Sequence, residues 1–211
     1  MPTAFPMTAL LSTTYFGPVQ WYQKLYRYGE VLVEAQESFK KQTFRNRCLI
    51  ATAQGVQALT VPVAGGEKTI EAVRISDHGN WRHLHWQAIT SAYGDSPFLE
   101  YYEDDLRPFF FERRWEYLFD LNWDICAKMC ELIDIHPNLS KTFQFAKNAD
   151  SIDLQAVDDF RDAIAPKHPA ADPAFLPRPY YQVFSQRHGF LPNLSILDLL
   201  LNMGPESVFY L

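Results

Sequence analysis

The sequence contains little cysteine and no long apolar run. Cys48, Cys126 and Cys130 are the only cysteines among 211 residues, and an odd number in apolar surroundings is typical of reduced thiols rather than of a disulfide framework. No apolar stretch approaches the roughly 18 residues that a transmembrane helix needs, and no basic flank precedes the apolar residues near Met1. We therefore expect a cytoplasmic protein without a membrane span.

Basic residues are outnumbered by acidic ones. The 19 basic and 25 acidic residues give a formal net charge of -6 at pH 7 and a pI of about 5.5. A protein that binds duplex nucleic acid needs a broad basic surface that neutralises many phosphates. We therefore expect no nucleic acid polymer among the partners of this protein.

The signatures of several common sites are also missing. Gly17 stands alone near a predicted turn, without a GxGxxG or Walker loop around it, and the sequence has no GxSxG nucleophile elbow. His83 and His85 are two residues apart on a predicted helix, a spacing that does not converge on one metal ion, and Cys126 and Cys130 lack a third ligand. The sequence predicts no metal site and leaves any cofactor unidentified.

Apolar and aromatic residues, in contrast, are abundant. They make up 47% and 15% of the 211 residues, enough for one sizeable core, and no internal repeat is visible. We expect a single domain over residues 1–211. An irregular surface excursion is predicted at about 147–179, where six aspartates and five prolines occur.

Hydrophobic periodicity in the first third of the chain predicts an α/β fold. The segment ALLSTTYF, the helical VQWYQKLYRYG and the strand-like EVLVEAQ form a βαβ unit, in which the strands at residues 8–16 and 30–36 are parallel neighbours. NRCLIATA and VQALTVPV predict an antiparallel hairpin, and TIEAVRISD predicts a further strand. We expect a mixed sheet with a site at the carboxyl ends of the parallel strands.

The remainder of the chain is predicted to be mainly helical. WRHLHWQAITSAYG, PFLEYYEDDLRPFFFERR and YLFDLNWDICAKMCELIDI have helical periodicity, and Pro108 either kinks or ends the second of these helices. KTFQFAK is a candidate strand, LQAVDDFRDAI a short helix within the excursion, and SILDLLLN a helix that packs into the core. The fold class is thus α/β, with an N-terminal βαβ unit, an antiparallel hairpin and a helical C-terminal half.

One stretch concentrates positive charge in this acidic chain. QESFKKQTFRNRCLI, residues 36–50, carries Lys40, Lys41, Arg45 and Arg47, with no acid from residue 40 to 47. On an extended segment Lys41, Arg45 and Arg47 share one face, and two arginines about 7 Å apart can hold a phosphate or carboxylate through several N–H donors. Alternatively, the arginines pair with acids of the chain on a solvated sheet face.

Other candidate residues surround the expected crevice. Glu34 lies in an apolar strand, where its carboxylate either acts as a general base through a raised pKa or binds the neighbouring arginines. Tyr15 and Gln20 flank the first strand-to-helix turn. Trp81 and His85 share an apolar helix face, so that His85 is either a hydrogen-bonded core residue or a catalytic base.

Several blocks of the sequence, in order, resemble the WbqC-like protein family over most of the chain. They are YFGPVQWYQKL, FKKQTFRNRCLI with LTVPV and VRISD, NWRHLHWQAITSAYGDSPFLEYY, and YYQVFSQRHGFLPNLSILDLLLNMG. The resemblance implies a bacterial protein of O-antigen or other surface-polysaccharide biosynthesis. One activity proposed for this family is the transfer of glycine or another amino acid onto a sugar. The resemblance carries over no catalytic motif.

Two functions therefore compete. In the first, the protein is a transferase that acts on a nucleotide-linked or modified sugar, and Glu34 or His85 deprotonates the accepting amine, which contributes about 10²–10⁴-fold to the rate. The residues expected to bind such an anionic substrate are Tyr15, Gln20, Lys41, Gln42, Arg45, Asn46, Arg47 and Trp81. In the second, it is a non-catalytic binding or scaffold protein of the same pathway, with ERRWEYLFDLNW as a partner surface. The sequence leaves the oligomeric state open.

Overall fold

The fold begins with a βαβ unit. In the computed structural model, which describes residues 8–66, 69–145 and 157–211, this unit comprises strand β1 (Thr8–Ser12), helix α1 (Val19–Arg27) and strand β2 (Glu30–Glu34). The two strands are parallel neighbours, with Thr8 opposite Glu30 and Ser12 opposite Glu34. The parallel pairing predicted from the helical crossover is therefore confirmed.

An antiparallel hairpin follows the βαβ unit. Strands β3 (Arg47–Thr52) and β4 (Gly55–Thr60) pair along their whole length. Gly55 begins the returning strand with φ of 108°, a conformation that residues with a side chain rarely adopt. The predicted hairpin is confirmed, and it forms a two-stranded sheet of its own beside the parallel sheet.

The strand predicted at TIEAVRISD is not formed. Ile70–Ala72 is a single 3₁₀ turn, and Arg74 and Ile75 make isolated bridges rather than a ladder. The backbone N–H groups of Ile70 and Glu71 instead donate to the carbonyl oxygens of Glu37 and Ala35. These bonds tie the segment across the end of β2, where an extended strand pattern cannot develop.

Four helices occupy the middle of the chain. They are α2 (Trp81–Tyr93), α3 (Leu99–Leu106), α4 (Pro108–Phe111) and α5 (Leu118–Leu132). Pro108 ends one predicted helix and starts the next, because proline lacks an N–H group but fits the first helical turn. In the part of the chain that the structure describes, no helix combines the length and hydropathy needed to cross a membrane.

Two short strands complete the parallel sheet. Strand β5 (Leu139–Lys141) pairs with β2, and strand β6 (Val157–Asp159) pairs with the other edge of β1, giving the order β5-β2-β1-β6. Of the strand predicted at KTFQFAK, only the first residue, Lys141, belongs to β5. The helix predicted at LQAVDDFRDAI starts outside the described residues, and residues 157–159 are a strand because their backbone pairs with β1.

The C-terminal residues close the core. After α6 (Ser185–His188), helix α7 (Ile196–Met203) is buried from residue 196 to 202, and a 3₁₀ helix spans Gly204–Tyr210. One hydrophobic cluster joins residues of β1, β2, α1, α5 and α7. The α/β class and the single domain are thus confirmed.

The strand order defines where a ligand site is expected. The chain runs from β1 to β2 and on to β5 in one direction, whereas β6 pairs on the opposite side of β1. In α/β proteins the crevice lies outside the carboxyl ends of the strands, at the point where the direction of winding changes. For this fold that point lies between β1 and β6.

Candidate functional site

A small cavity lies at the carboxyl ends of β1 and β6. Its lining comes from the residues after β1, from the segment before β3, from α1 and from the residues after β6: Ser12, Thr13, Thr14, Trp21, Phe44, Arg45, Phe160, Arg161 and Ile164. The volume is about 10 Å³, close to the minimum that holds one water molecule. The hydroxyl oxygen of Thr14 is buried there without a hydrogen-bond partner.

Arg45 is the more deeply buried of the two arginines that line this cavity. It is 3% exposed, and its Nε donates to Oε1 of Glu37 at 2.8 Å. One terminal nitrogen pairs with the second carboxylate oxygen of Glu37 and also donates to Oγ of Ser12 at 2.7 Å. This bidentate, buried pair fixes the guanidinium plane and neutralises its charge. Arg45 therefore pairs with an acid of the chain, Glu37, as the second interpretation of the sequence expected. The pair lies inside the protein, however, and not on a solvated sheet face.

The buried Glu34 and the half-buried Arg161 form a second charge pair. The fully buried Glu34 accepts hydrogen bonds from Thr142 Oγ1 at 2.6 Å and from the Gln36 N–H at 2.9 Å. A terminal nitrogen of Arg161 lies 3.2 Å from its other oxygen, and Arg161 also binds Asp159 through Nε and a terminal nitrogen. Glu34 thus binds an arginine, as one interpretation of its position expected, but that arginine comes from the excursion.

The other residues of the cationic stretch do not line the cavity with Arg45. Residues 41–46 form turns instead of an extended strand, with Gln42 at φ of 60°, so the alternation that would place Arg45 and Arg47 on one face does not apply. Arg47 is half-buried, donates from Nε to Thr60 Oγ1 at 3.0 Å, and is not among the residues that line the cavity. Lys41 is exposed, and Lys167 Nζ donates to Gln42 at 3.3 Å.

His85 lies in the core beside the β1–α1 turn. It is 5% exposed, its ring centre is 5.2 Å from that of Trp81, and Ile89 is buried one turn further on, as predicted. Burial lowers the pKa of His85 to about 4, although a hydrogen bond to the backbone of Thr60 acts in the opposite direction. Nδ1 lies 2.9 Å from the hydroxyl of Tyr15, whose pKa burial raises well above its ordinary value. The ring is neutral at pH 7, and its contacts are those of a hydrogen-bonded core histidine.

Gln20 and Asn46 are also held by the chain itself. The amide of Gln20 donates to Asp172 at 2.8 Å and accepts from Asn193 at 3.0 Å. Asn46 donates to the carbonyl oxygen of Val61 at 2.8 Å, while its own amide oxygen is buried without a partner. Of the residues predicted to bind substrate, Arg45 alone lines the cavity described above. Substrate binding and catalysis by the others stay predictions.

Comparison with known proteins identifies the family. A model of the WbqC-like protein family matches residues 13–166, well over half of the chain. The chain belongs to the WbqC-like protein family. The matched segment includes Glu34, Glu37, Arg45 and Arg161, so both of these charge pairs of the WbqC-like protein lie within it.

One relative of this WbqC-like protein carries no assigned function. The uncharacterized protein Rv1507c of Mycobacterium tuberculosis is 26% identical over 202 residues, which cover 86% of this chain and 87% of that protein. No solved structure matches the chain.

Sequence reasoning missed several residues of the site in this WbqC-like protein. Ser12, Thr13 and Thr14 carried a usable signal, because three hydroxyl residues directly follow an apolar strand at its carboxyl end. Glu37 and Arg161 carried none, since both are charged residues in irregular segments. Across the described ranges, no three His, Cys, Asp or Glu residues lie close enough to hold a metal ion.

Proposed function

We propose that this WbqC-like protein is a transferase of surface-polysaccharide biosynthesis, which binds an anionic, nucleotide-linked or otherwise modified sugar at the carboxyl ends of β1 and β6. The observation that carries the proposal is that Arg45, Ser12 and Thr14 line one cavity at that point. Buried arginines and hydroxyls are suited to phosphate and carboxylate oxygens, because each supplies directed N–H or O–H donors.

Access to this site requires a movement of the residues after β6. A cavity of about 10 Å³ is too small for a phosphate group, and Phe160, Arg161 and Ile164 form one of its walls. Displacing that wall opens a path to Arg45 and Thr14. The side-chain oxygen of Thr14, which has no partner in the closed arrangement, then becomes available to the substrate.

The same movement supplies a candidate base. When the wall is displaced, Arg161 moves away from Glu34 and the ion pair between them opens. Glu34 lies directly opposite Ser12, a residue that lines the site, across the β1–β2 pair. It then accepts the proton that the accepting amine loses as the new bond forms. His85 is not among the residues that line this cavity, and its Nδ1 is bonded to Tyr15.

One observation favours the alternative of a non-catalytic binding or scaffold protein. Each candidate for chemistry has a partner within the chain: Arg45 with Glu37, Glu34 with Arg161, and His85 with Tyr15. Such pairing is typical of groups that stabilise a fold. Under this alternative the protein binds an anionic ligand or a pathway partner without transforming it.

The double variant Arg45→Gln/Glu37→Gln tests ligand binding. It removes both buried charges together, so neither partner is left uncompensated in the interior. We expect calorimetry to show a ten- to hundredfold weaker affinity for nucleotide sugars, equivalent to roughly 1.5–3 kcal/mol for a lost charge-assisted contact. Arg74→Gln, at an exposed pair with Glu116, is the control and should leave affinity unchanged.

The variant Glu34→Gln separates the two candidate functions. A transferase that uses Glu34 as its base keeps ligand affinity in this variant but loses turnover by about 10²–10⁴-fold. Equal affinity of wild type and the double variant, with circular dichroism showing that both are folded, would refute the proposed site. Ligand binding without any turnover in wild type would favour the non-catalytic alternative.

A further inference from the structure

A second, larger cavity lies on the other side of the β1–α1 turn. It has a volume of about 270 Å³ and is lined by residues around the start of α2 and the end of α4: Asp77, Asn80, Trp81, Arg82, His83, Phe110, Phe111 and Arg114. Phe16 stacks on Phe110 with ring centres 6.1 Å apart, so the turn separates this cavity from the first one. The two cavities share no lining residue.

The charges around this cavity are mainly positive. Arg82 and Arg114 line it together with His83, and Asp77 is its one acidic lining residue. The carboxylate of Asp77 is 82% exposed on the rim and pairs with a terminal nitrogen of Arg82. The hydrogen bond and charge of Arg82 lower the pKa of Asp77, and the charge of Arg114 adds to the effect, so both guanidinium groups act on the same region.

Both arginines retain donors that no carboxylate satisfies. The Arg82 side chain is 11% exposed and lies 4.4 Å over the Trp81 ring, while its Nε is buried without a hydrogen-bond partner. Arg114 makes long hydrogen bonds to the backbone oxygens of Phe110 and Arg113, at 3.4 and 3.3 Å, and no ion pair among the described residues. The terminal nitrogens of the two guanidinium groups therefore keep N–H donors for a bound anion.

The backbone at the start of α2 adds further donors. Gly79 and Asn80 both have left-handed conformations, with φ of 80° and 47°, and the side chain of Asn80 does not cap the helix. The first turn of this 13-residue helix also contains no acidic residue. A 3₁₀ turn at His78–Asn80 leads directly into α2, and the first turn of α2 supplies no acidic side chain to the positive end of the helix dipole.

We propose that this cavity binds a dianionic phosphoryl group carried by a small phosphate monoester. Arg82, Arg114 and the first N–H groups of α2 bind the phosphoryl oxygens, and Phe111 contacts the organic part of the ester. The volume lies just below the roughly 300 Å³ at which pockets for drug-sized ligands begin, which favours a sugar phosphate over a dinucleotide. The site is independent of the proposed transferase centre, because none of its residues line that cavity.

An NMR titration of the ¹⁵N-labelled full chain tests this site. Inorganic phosphate, glucose 1-phosphate and glucose are added in turn, and the backbone amide shifts of residues 79–84 are followed. We expect saturable shifts with the two phosphate compounds, tighter binding of glucose 1-phosphate, and none with glucose. Arg114→Gln should weaken both phosphate compounds at least tenfold, because it removes a charge-assisted contact from an exposed side chain.

The neighbouring Arg113 provides a matched control. It carries the same charge but lines a different cavity, between α3 and α5, so Arg113→Gln should leave the phosphate affinity unchanged. Arg82→Lys keeps the charge but removes the planar set of guanidinium donors, and should also weaken phosphate binding. Equal losses in Arg113→Gln and Arg114→Gln, or the absence of saturable shifts at residues 79–84, would overturn the proposal. Equal affinity for the two phosphate compounds would overturn the assigned aromatic contact.

Discussion

Single buried side chains set how this protein responds to acid. His85 is enclosed between Tyr15 and Trp81, and its pKa is lowered from 6.5 to about 4 by burial. Because the folded ring stays neutral above pH 4, whereas the ring of the unfolded chain takes up a proton below about pH 6.5, acid favours the unfolded state. His85 therefore destabilises the folded protein as the pH falls from about 6.5 to about 4.

The free energy of unfolding should fall as the pH is lowered from 6.5 towards 4. The shift of His85 corresponds to a loss of up to about 3 kcal/mol over this range. Urea denaturation at pH 7 and pH 4.5 measures the loss, which should be smaller in His85→Gln. His136→Gln, at a surface histidine whose side chain is 84% exposed, should keep the wild-type slope. An identical slope in all three proteins would exclude His85 as the source.

At the scale of elements, the segment from β6 to residue 178 is held across the carboxyl ends of the sheet largely by charges. Asp158 accepts a hydrogen bond from Tyr28, Asp162 pairs with Lys40, and Asp172 pairs with Lys24. The Lys24–Asp172 pair is buried, with a separation of 2.6 Å and side-chain exposures of 1% and 6%. Asp162 and Asp172 thus bind lysines of the N-terminal half, and Asp158 binds a tyrosine hydroxyl.

Removal of Asp172 should destabilise the protein strongly. Asp172→Asn leaves the Lys24 ammonium buried without its counter-charge, and we expect a loss of about 3–5 kcal/mol in the free energy of unfolding. Asp162→Asn is the matched control, because its pair with Lys40 is exposed and should change stability by less than about 1 kcal/mol. The double variant Lys24→Met/Asp172→Leu should recover much of the loss. Urea denaturation that ranked the two aspartates equally would contradict this account.

The sequence predicted local structure better than these long-range pairs. The parallel partnership of β1 and β2 followed from apolar periodicity on either side of a short helix, because the crossover restricts the geometry. The pairing of Glu34 with Arg161 spans 127 positions, and no local pattern marks it. The shared face of Arg45 and Arg47 was predicted from alternation, which fails because the residues around Gln42 turn. The position of a residue on a strand could therefore be predicted from local periodicity, whereas its partner on the distant excursion could not.

At the scale of the whole molecule, the C-terminal residues are bound to the rest of the chain through one buried acid. Asp198 on α7 is fully buried and accepts hydrogen bonds from Tyr93 at 2.9 Å, Tyr180 at 2.7 Å and Gln182 at 2.7 Å. Burial raises the pKa of Asp198, while these three donors oppose the rise. The carboxyl group joins α2, α7 and the segment before α6.

Removal of one hydrogen-bond donor to Asp198 should lower the free energy of unfolding. Tyr180→Phe removes a hydrogen bond to Asp198, and we expect the free energy of unfolding to fall by roughly 1.5–3 kcal/mol. Tyr102→Phe is the control, since Tyr102 is buried but its hydroxyl makes no hydrogen bond to the described residues. Chemical denaturation at pH 7 compares the two. Equal stability of Tyr180→Phe and wild type would show that the contact contributes nothing.

The strand order also dictates when the sheet is completed during synthesis. Strand β1 meets β2 within a few tens of residues, but its other edge pairs with β6, where Thr8 lies opposite Val157. At about 5–20 residues per second, the ribosome needs on the order of ten seconds between these two positions. Until then one edge of β1 has unpaired N–H and C=O groups, which can pair with another chain. The central strand of the fold is thus synthesised together with one neighbour and long before the other.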